Sequence, residues 1–176
     1  MTQEELESIF TTGLKKEPRA QVVKQVVHGE MDLNVLFKAC LNPNKTVAMK
    51  VSWVLGEACK TNGDFLENRE REILEMLEES PIQGVRRELI KMLILCFPWS
   101  KETEMELLDL CLVLTEAEET ATAEKYFSMK IMGKIGPEYH HRFEEYMDLL
   151  QEITPYQTDA FQRQSAKFLR KHRDSK

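Results

Sequence analysis

The chain has 176 residues, 42% hydrophobic and 31% charged, with a formal net charge of −6. That is enough apolar material for a core and enough charge for exposed helix faces, and it lacks the basic excess that marks a chain built around nucleic acid. The longest apolar run, Met92 to Phe97, is far too short to cross a membrane.

The start, Met1-Thr2-Gln3-Glu4-Glu5, has no basic region followed by an apolar one. A targeting segment is therefore not expected, and a cytoplasmic location follows by default. The first predicted hairpin pairs helices over 4–13 and 18–28. The second pairs 31–41 with 44–61, where Val47, Val51, Val54, Leu55 and Ala58 form one apolar stripe. Asn42-Pro43-Asn44 ends one of these helices and caps the next. Beyond Asn62-Gly63-Asp64, Ile73, Leu74 and Leu77 mark a helix over 65–79. Ser80-Pro81 then leads into 82–97. Phe97-Pro98-Trp99-Ser100 opens the fourth hairpin, 101–117 and 120–135, with a stripe through Leu107, Leu108, Cys111, Leu112 and Leu114. Gly136-Pro137 opens the fifth, 138–153 and 158–173, whose first helix buries Phe143, Met147, Leu150 and Ile153. No segment alternates apolar and polar residues for long enough to suggest a strand.

The hairpins repeat. The second helix returns every 37 to 39 residues, placing Trp53, Lys91, Lys130 and Lys167 at one equivalent position. Two helices per period of this length fit an all-α, α-α superhelix, a HEAT/armadillo-like solenoid of about five hairpins, in which stacking covers the apolar face each hairpin leaves open. The expected organisation is a single domain over 1–176, with a capping hairpin at 1–29 and four hairpins over 30–173.

Charge is sorted by helix order. Each second helix is net positive, whereas the first helices are net negative or neutral. In a solenoid the two sets line opposite sides, which predicts an acidic flank and a basic one. Along the basic flank one turn reads Met49, Arg87, Tyr126, Arg163. The next reads Trp53, Lys91, Lys130, Lys167, and the next Glu57, Leu95, Lys134, Lys171. An aromatic side chain and several cations on one face suit an acidic protein or peptide partner. The competing reading is a solvated face held by weak ion pairs, with Trp53 wedged between hairpins.

Little else carries chemistry. Cys40, Cys59, Cys96 and Cys111 lie in apolar helical runs without a CxxC pair, as reduced core thiols do. His28, His140, His141 and His172 share no metal-ligand spacing with them, so neither metal nor cofactor is expected. Tyr126-Phe127, Phe161 and Phe168 fall at core spacing. Trp99, beside Pro98, reads as the anchor of a loop. No phosphate loop, nucleophile elbow or HExxH helix is present.

From about Asn44 to Arg173 the chain resembles a family of small bacterial HEAT-like helical proteins of unknown activity. The segments that carry the likeness are Lys50-Val51-Ser52-Trp53-Val54-Leu55, Glu124-Lys125-Tyr126-Phe127-Ser128-Met129-Lys130 and Arg163-Gln164-Ser165-Ala166-Lys167-Phe168-Leu169. Members often carry the label of adenylosuccinate lyase, but the serine-rich signature loop of that enzyme has no counterpart here, so lyase activity is not expected. The repeat resemblance implies that the second helices line a concave side. In architecture alone the chain is also similar to HEAT-like DNA glycosylases that remove alkylated bases, where Trp53, Tyr126, Glu57 and the cations would serve a nucleic-acid groove. The leading expectation is thus a non-enzymatic binding scaffold, with nucleic-acid binding as the alternative.

Overall fold

The computed structural model describes Ser8, Phe10, residues 16–95 and residues 98–173, with backbone alone for 16–18. Nine α-helices lie among the described residues, and no strand does. They are α1 (Lys16–Val27), α2 (Leu33–Cys40), α3 (Lys45–Thr61), α4 (Glu70–Glu79), α5 (Gln83–Leu95), α6 (Lys101–Glu116), α7 (Thr122–Ile135), α8 (His140–Ile153) and α9 (Asp159–Arg173). The helix expected over 4–13 falls outside the described residues except for Ser8 and Phe10, both helical. Cys96 lies outside them as well.

The polar residues between the stripes act as helix starts. Asp32 accepts a hydrogen bond from the Asn34 amide at 2.9 Å, Asn44 from Thr46 at 3.0 Å and Ser100 from Thr103 at 3.1 Å. Each satisfies a donor that the first turn of a helix leaves open. One expected helix is broken. The run predicted over 65–79 begins as a 3-10 turn, Asp64–Leu66, and α4 starts only at Glu70. Asn68, at φ 61°, sits in the left-handed region that asparagine tolerates better than most residues, and the helix cannot pass through it. Short 3-10 turns at Gly136–Glu138 and Thr154–Tyr156 frame α8 in the same way.

The helices gather into two compact units that divide between Pro98 and Trp99. In the first, each hairpin's helices pack on each other, α2 on α3 and α4 on α5. The second helices also stack in series, α1 on α3 and α3 on α5. Its core holds Leu36, Val47, Val51, Leu55, Ile73, Leu89 and Leu93, all fully buried or nearly so. In the second unit α6 packs on α7 and α8, and α9 on α7 and α8. Leu107, Leu108, Cys111, Met132, Tyr146, Leu150 and Phe161 fill its centre. Burying each such leucine contributes about 1.5–3 kcal/mol relative to leaving it exposed. Leu112, Met147 and Ile153, expected in the stripes, are only half-buried.

Cys40, Cys59 and Cys111 are buried. Burial pushes the Cys40 thiol up to about 12, and that of Cys111 to about 12 against a lowering hydrogen bond with Ser128. Trp99 is buried in the second unit with the Lys134 ammonium 5.8 Å from its ring centre.

Candidate partner-binding surface

In the first unit, α3 carries Met49, Trp53 and Glu57 at spacings of four, on the side away from the Val47, Val51 and Leu55 stripe. Met49 is exposed and the other two are half-buried. Trp53 is therefore neither a fully solvent-facing anchor nor a core side chain. The guanidinium of Arg19, from α1, lies 5.6 Å from the centre of its ring. Cations at this distance from an aromatic face are attracted by the ring's quadrupole.

Two recesses flank this pair. The smaller, about 210 Å³, lies between α3 and α5 and is bounded by Met49, Lys50, Gly84, Arg87 and Glu88 besides Arg19 and Trp53. A Cβ at Gly84 would come within 2.9 Å of the Met49 methyl, so the glycine makes room for Met49 there. The larger, about 610 Å³, runs along α1 and is bounded by Val23, Lys24, Val27, His28, Glu57 and Thr61 together with Arg19, Ala20 and Trp53. The first unit thus supplies an apolar hollow with an aromatic wall and cations at its edge.

Two of the expected groove cations are committed to another task. Glu88 is 3% exposed, yet it is a carboxylate on α5. Arg87 pairs with it at 3.2 Å and Lys91 hydrogen-bonds its other oxygen. A buried carboxylate survives only when paired in this way. Gly56 on α3 supplies the space, because a Cβ there would meet a Glu88 oxygen at 2.9 Å. Lys91 is half-buried as a result. Glu57 is likewise engaged, accepting from Lys60 at 2.5 Å. Leu95, on the same turn of the ladder, is an exposed apolar side chain.

In the second unit the ladder residues are more open. Lys130 is exposed, its ammonium 4.8 Å from the Tyr126 ring centre and 5.6 Å from that of Phe127. Tyr126 is half-buried and Lys134 exposed. Loss of hydration lowers the Lys134 pKa from its ordinary range. Arg163, Lys167 and Lys171 follow one another at spacings of four on α9, all exposed. Among the described residues Lys130, Arg163 and Lys167 have no carboxylate partner. Phe161 is buried and Phe168 half-buried, its ring 6.2 Å from those of Phe143 and Tyr146, as core aromatics should be.

Not every second-helix charge reaches the surface. Lys125 is 1% exposed and donates to the Thr115 carbonyl at 3.0 Å, near the end of α6. Burial lowers its pKa against the raising influence of Glu118 and Glu119. The periodic reading placed all such cations on one flank and missed this inward one. It also missed Arg19, although one period of 38 residues before Glu57 lands on it.

Among the described residues, no three His, Cys, Asp or Glu side chains gather where a metal ion could be held, and no helix is long and apolar enough to cross a membrane. A family model described as a HEAT repeat domain matches residues 8–171. Neither a curated protein nor a solved structure gives a match.

Proposed function

Because this chain belongs to the HEAT repeat family, a type of helical repeat that serves as a scaffold or binding surface, we propose that it works by binding and not by catalysis, with the sides formed by its second helices holding an acidic protein or peptide. The reading takes 1–176 as a single array. The observation that carries it is the state of the cations: Lys130, Arg163 and Lys167 stand exposed without carboxylate partners among the described residues. Arg19 lies over the face of Trp53 and has no carboxylate partner among the described residues. Cations left unpaired over buried apolar stripes raise the local concentration of anionic partners and speed their arrival.

The test is affinity capture with the chain and with a Lys130→Glu, Lys167→Glu variant. Both positions are exposed, so reversal should leave the fold intact. Notably, Lys91 is unsuitable for this purpose, since reversing it would set a second carboxylate against Glu88. A captured protein that is acidic and that the variant fails to retain supports the reading. An unchanged captured set sinks it.

One observation favours nucleic acid instead: α9 exposes Arg163, Lys167, Arg170, Lys171 and Arg173. Titration with duplex DNA separates the two. Tight binding at about 50 mM salt, falling with a log–log slope of about −0.9 per phosphate contact, would transfer the function to nucleic acid.

A further inference from the structure

The larger recess of the first unit combines features that specify an occupant more narrowly than charge does. Its floor is apolar, made by Val23 and Val27 of α1 and by Trp53. The two valines are half-buried, one turn apart, on the face adjoining Val22 and Val26, which are in the core. A volume of about 610 Å³ falls within the range of sites that enclose a side chain or small ligand. Its cations are Arg19 and Lys24, neither with a carboxylate partner among the described residues. Its one carboxylate, Glu57, is neutralised by Lys60 at 2.5 Å. Along α1 the lining runs from Arg19 to Val27, just over two helical turns or about 12 Å. That length accommodates a few residues of a chain rather than a single compact group.

We infer that this recess is a peptide-anchoring site, taking one bulky apolar side chain of an acidic segment against Val23, Val27 and Trp53 while the flanking carboxylates of that segment meet Arg19 and Lys24. The inference rests on the proposed binding function and narrows it to a partner whose acidic run is interrupted by an apolar residue. The division of labour is physical. Burial of the side chain supplies most of the affinity, because it removes apolar area from water on both partners. The cations at the edge set register and approach, since exposed pairs contribute little by themselves. Arg19 is held in place by the ring of Trp53, so less freedom is lost when it meets a carboxylate.

The experiment uses the full chain carrying Trp99→Phe, which leaves Trp53 as the sole tryptophan reporter. The probe is a capped peptide, Glu-Asp-Glu-Phe-Glu-Asp-Glu, titrated while Trp53 emission and peptide anisotropy are followed. The expected result is a saturable change in both signals. Replacing the probe's Phe by Ser should weaken binding roughly tenfold or more. Arg19→Glu with Lys24→Glu should abolish it, because reversal sets two carboxylates against those of the probe, and Val27→Ser, a milder change, should weaken it several-fold. Lys130→Glu with Lys167→Glu should leave it unchanged. Equal affinity for the Phe and Ser probes overturns the anchor. So does anisotropy that rises while Trp53 stays silent and that the reversal at 130 and 167 removes, although the broader binding reading would then stand. No binding of either probe to the chain overturns the anchor, while the broader binding reading is overturned by affinity capture that the reversal at 130 and 167 leaves unchanged.

Discussion

The two units carry the same ladder and use it differently. At equivalent positions stand Lys91 in the first unit and Lys130 in the second. Lys91 is half-buried and bonded to the carboxylate of Glu88, whereas Lys130 stands in solvent over the rings of Tyr126 and Phe127. The cause is the residue three positions earlier. Position 88 is a buried glutamate, and its counterpart one repeat on is Phe127. A carboxylate turned into the helix stack converts its neighbouring cations into structural partners. An aromatic in its place leaves the cation available. Equivalence within a repeat therefore fixes where a side chain starts, and its neighbours decide what it does.

The widest separation between the units should come from truncating this one rung. Lys91→Ala leaves Glu88 with only the half-exposed Arg87 and should cost about 3 kcal/mol, the range for breaking a buried pair by removing one partner. Urea unfolding followed by circular dichroism measures it. If Lys91→Ala and Lys130→Ala cost the same, the contrast between the rungs is wrong.

Glycines give a second contrast of smaller size. Gly136, in the second unit, packs directly on Phe143, and a Cβ there would lie 2.2 Å from the ring carbon Cδ2. Gly136→Ala should cost about 1–3 kcal/mol because a ring embedded in the core has little room to move. Gly84, in the first unit, faces only the flexible end of Met49, so Gly84→Ala should cost under about 1 kcal/mol. Its expected effect is instead to shrink the smaller recess beside Trp53. Thermal melts of the two variants settle the comparison.

Those contrasts mark how far the sequence could be read. The helices and their order were legible because apolar stripes at helical spacing and the Asn, Pro and Gly breaks between them are local signals. Asn68 was not, since an isolated asparagine gives no warning that its φ will turn positive. The exposed cations Lys130, Arg163 and Lys167 were legible from period alone. The occupation of Arg87 and Lys91 by Glu88 was hidden, because it depends on the room that Gly56 leaves on a neighbouring helix. Arg19 lay one period before Glu57 and could have been found by running the ladder one step further back. The inward turn of Lys125 has no counterpart signal, as its partner is a backbone carbonyl.

A pH effect confined to the second unit should follow from Glu104. Burial raises the pKa of this carboxyl, but hydrogen bonds from Lys101 at 2.7 Å and Tyr139 at 2.6 Å more than offset that and hold it below its ordinary value of 4.5. A folded pKa below the unfolded one means a contribution fully present above pH 4.5 and lost as pH falls through the folded value. Tyr139→Phe should cost about 1 kcal/mol at neutral pH and less at acid pH, where Glu104 is protonated in both states. Melting temperatures across that window test the sign. A difference that grows on acidification would contradict it.

The smallest stability effect belongs to the residues proposed to matter most for binding. Lys130 and Lys167 are exposed, and among the described residues neither is paired with a carboxylate. Replacing both by Ala should change stability by no more than about 0.5 kcal/mol. The contacts of Lys130 with Tyr126 and Phe127 are exposed cation–aromatic pairs, each of small worth. If the second unit holds an acidic partner, the same double variant should lose that partner while unfolding at an unchanged urea concentration. A variant that loses stability along with binding would mean these cations support the helix stack, as Lys91 does, and the distinction between the two units would collapse.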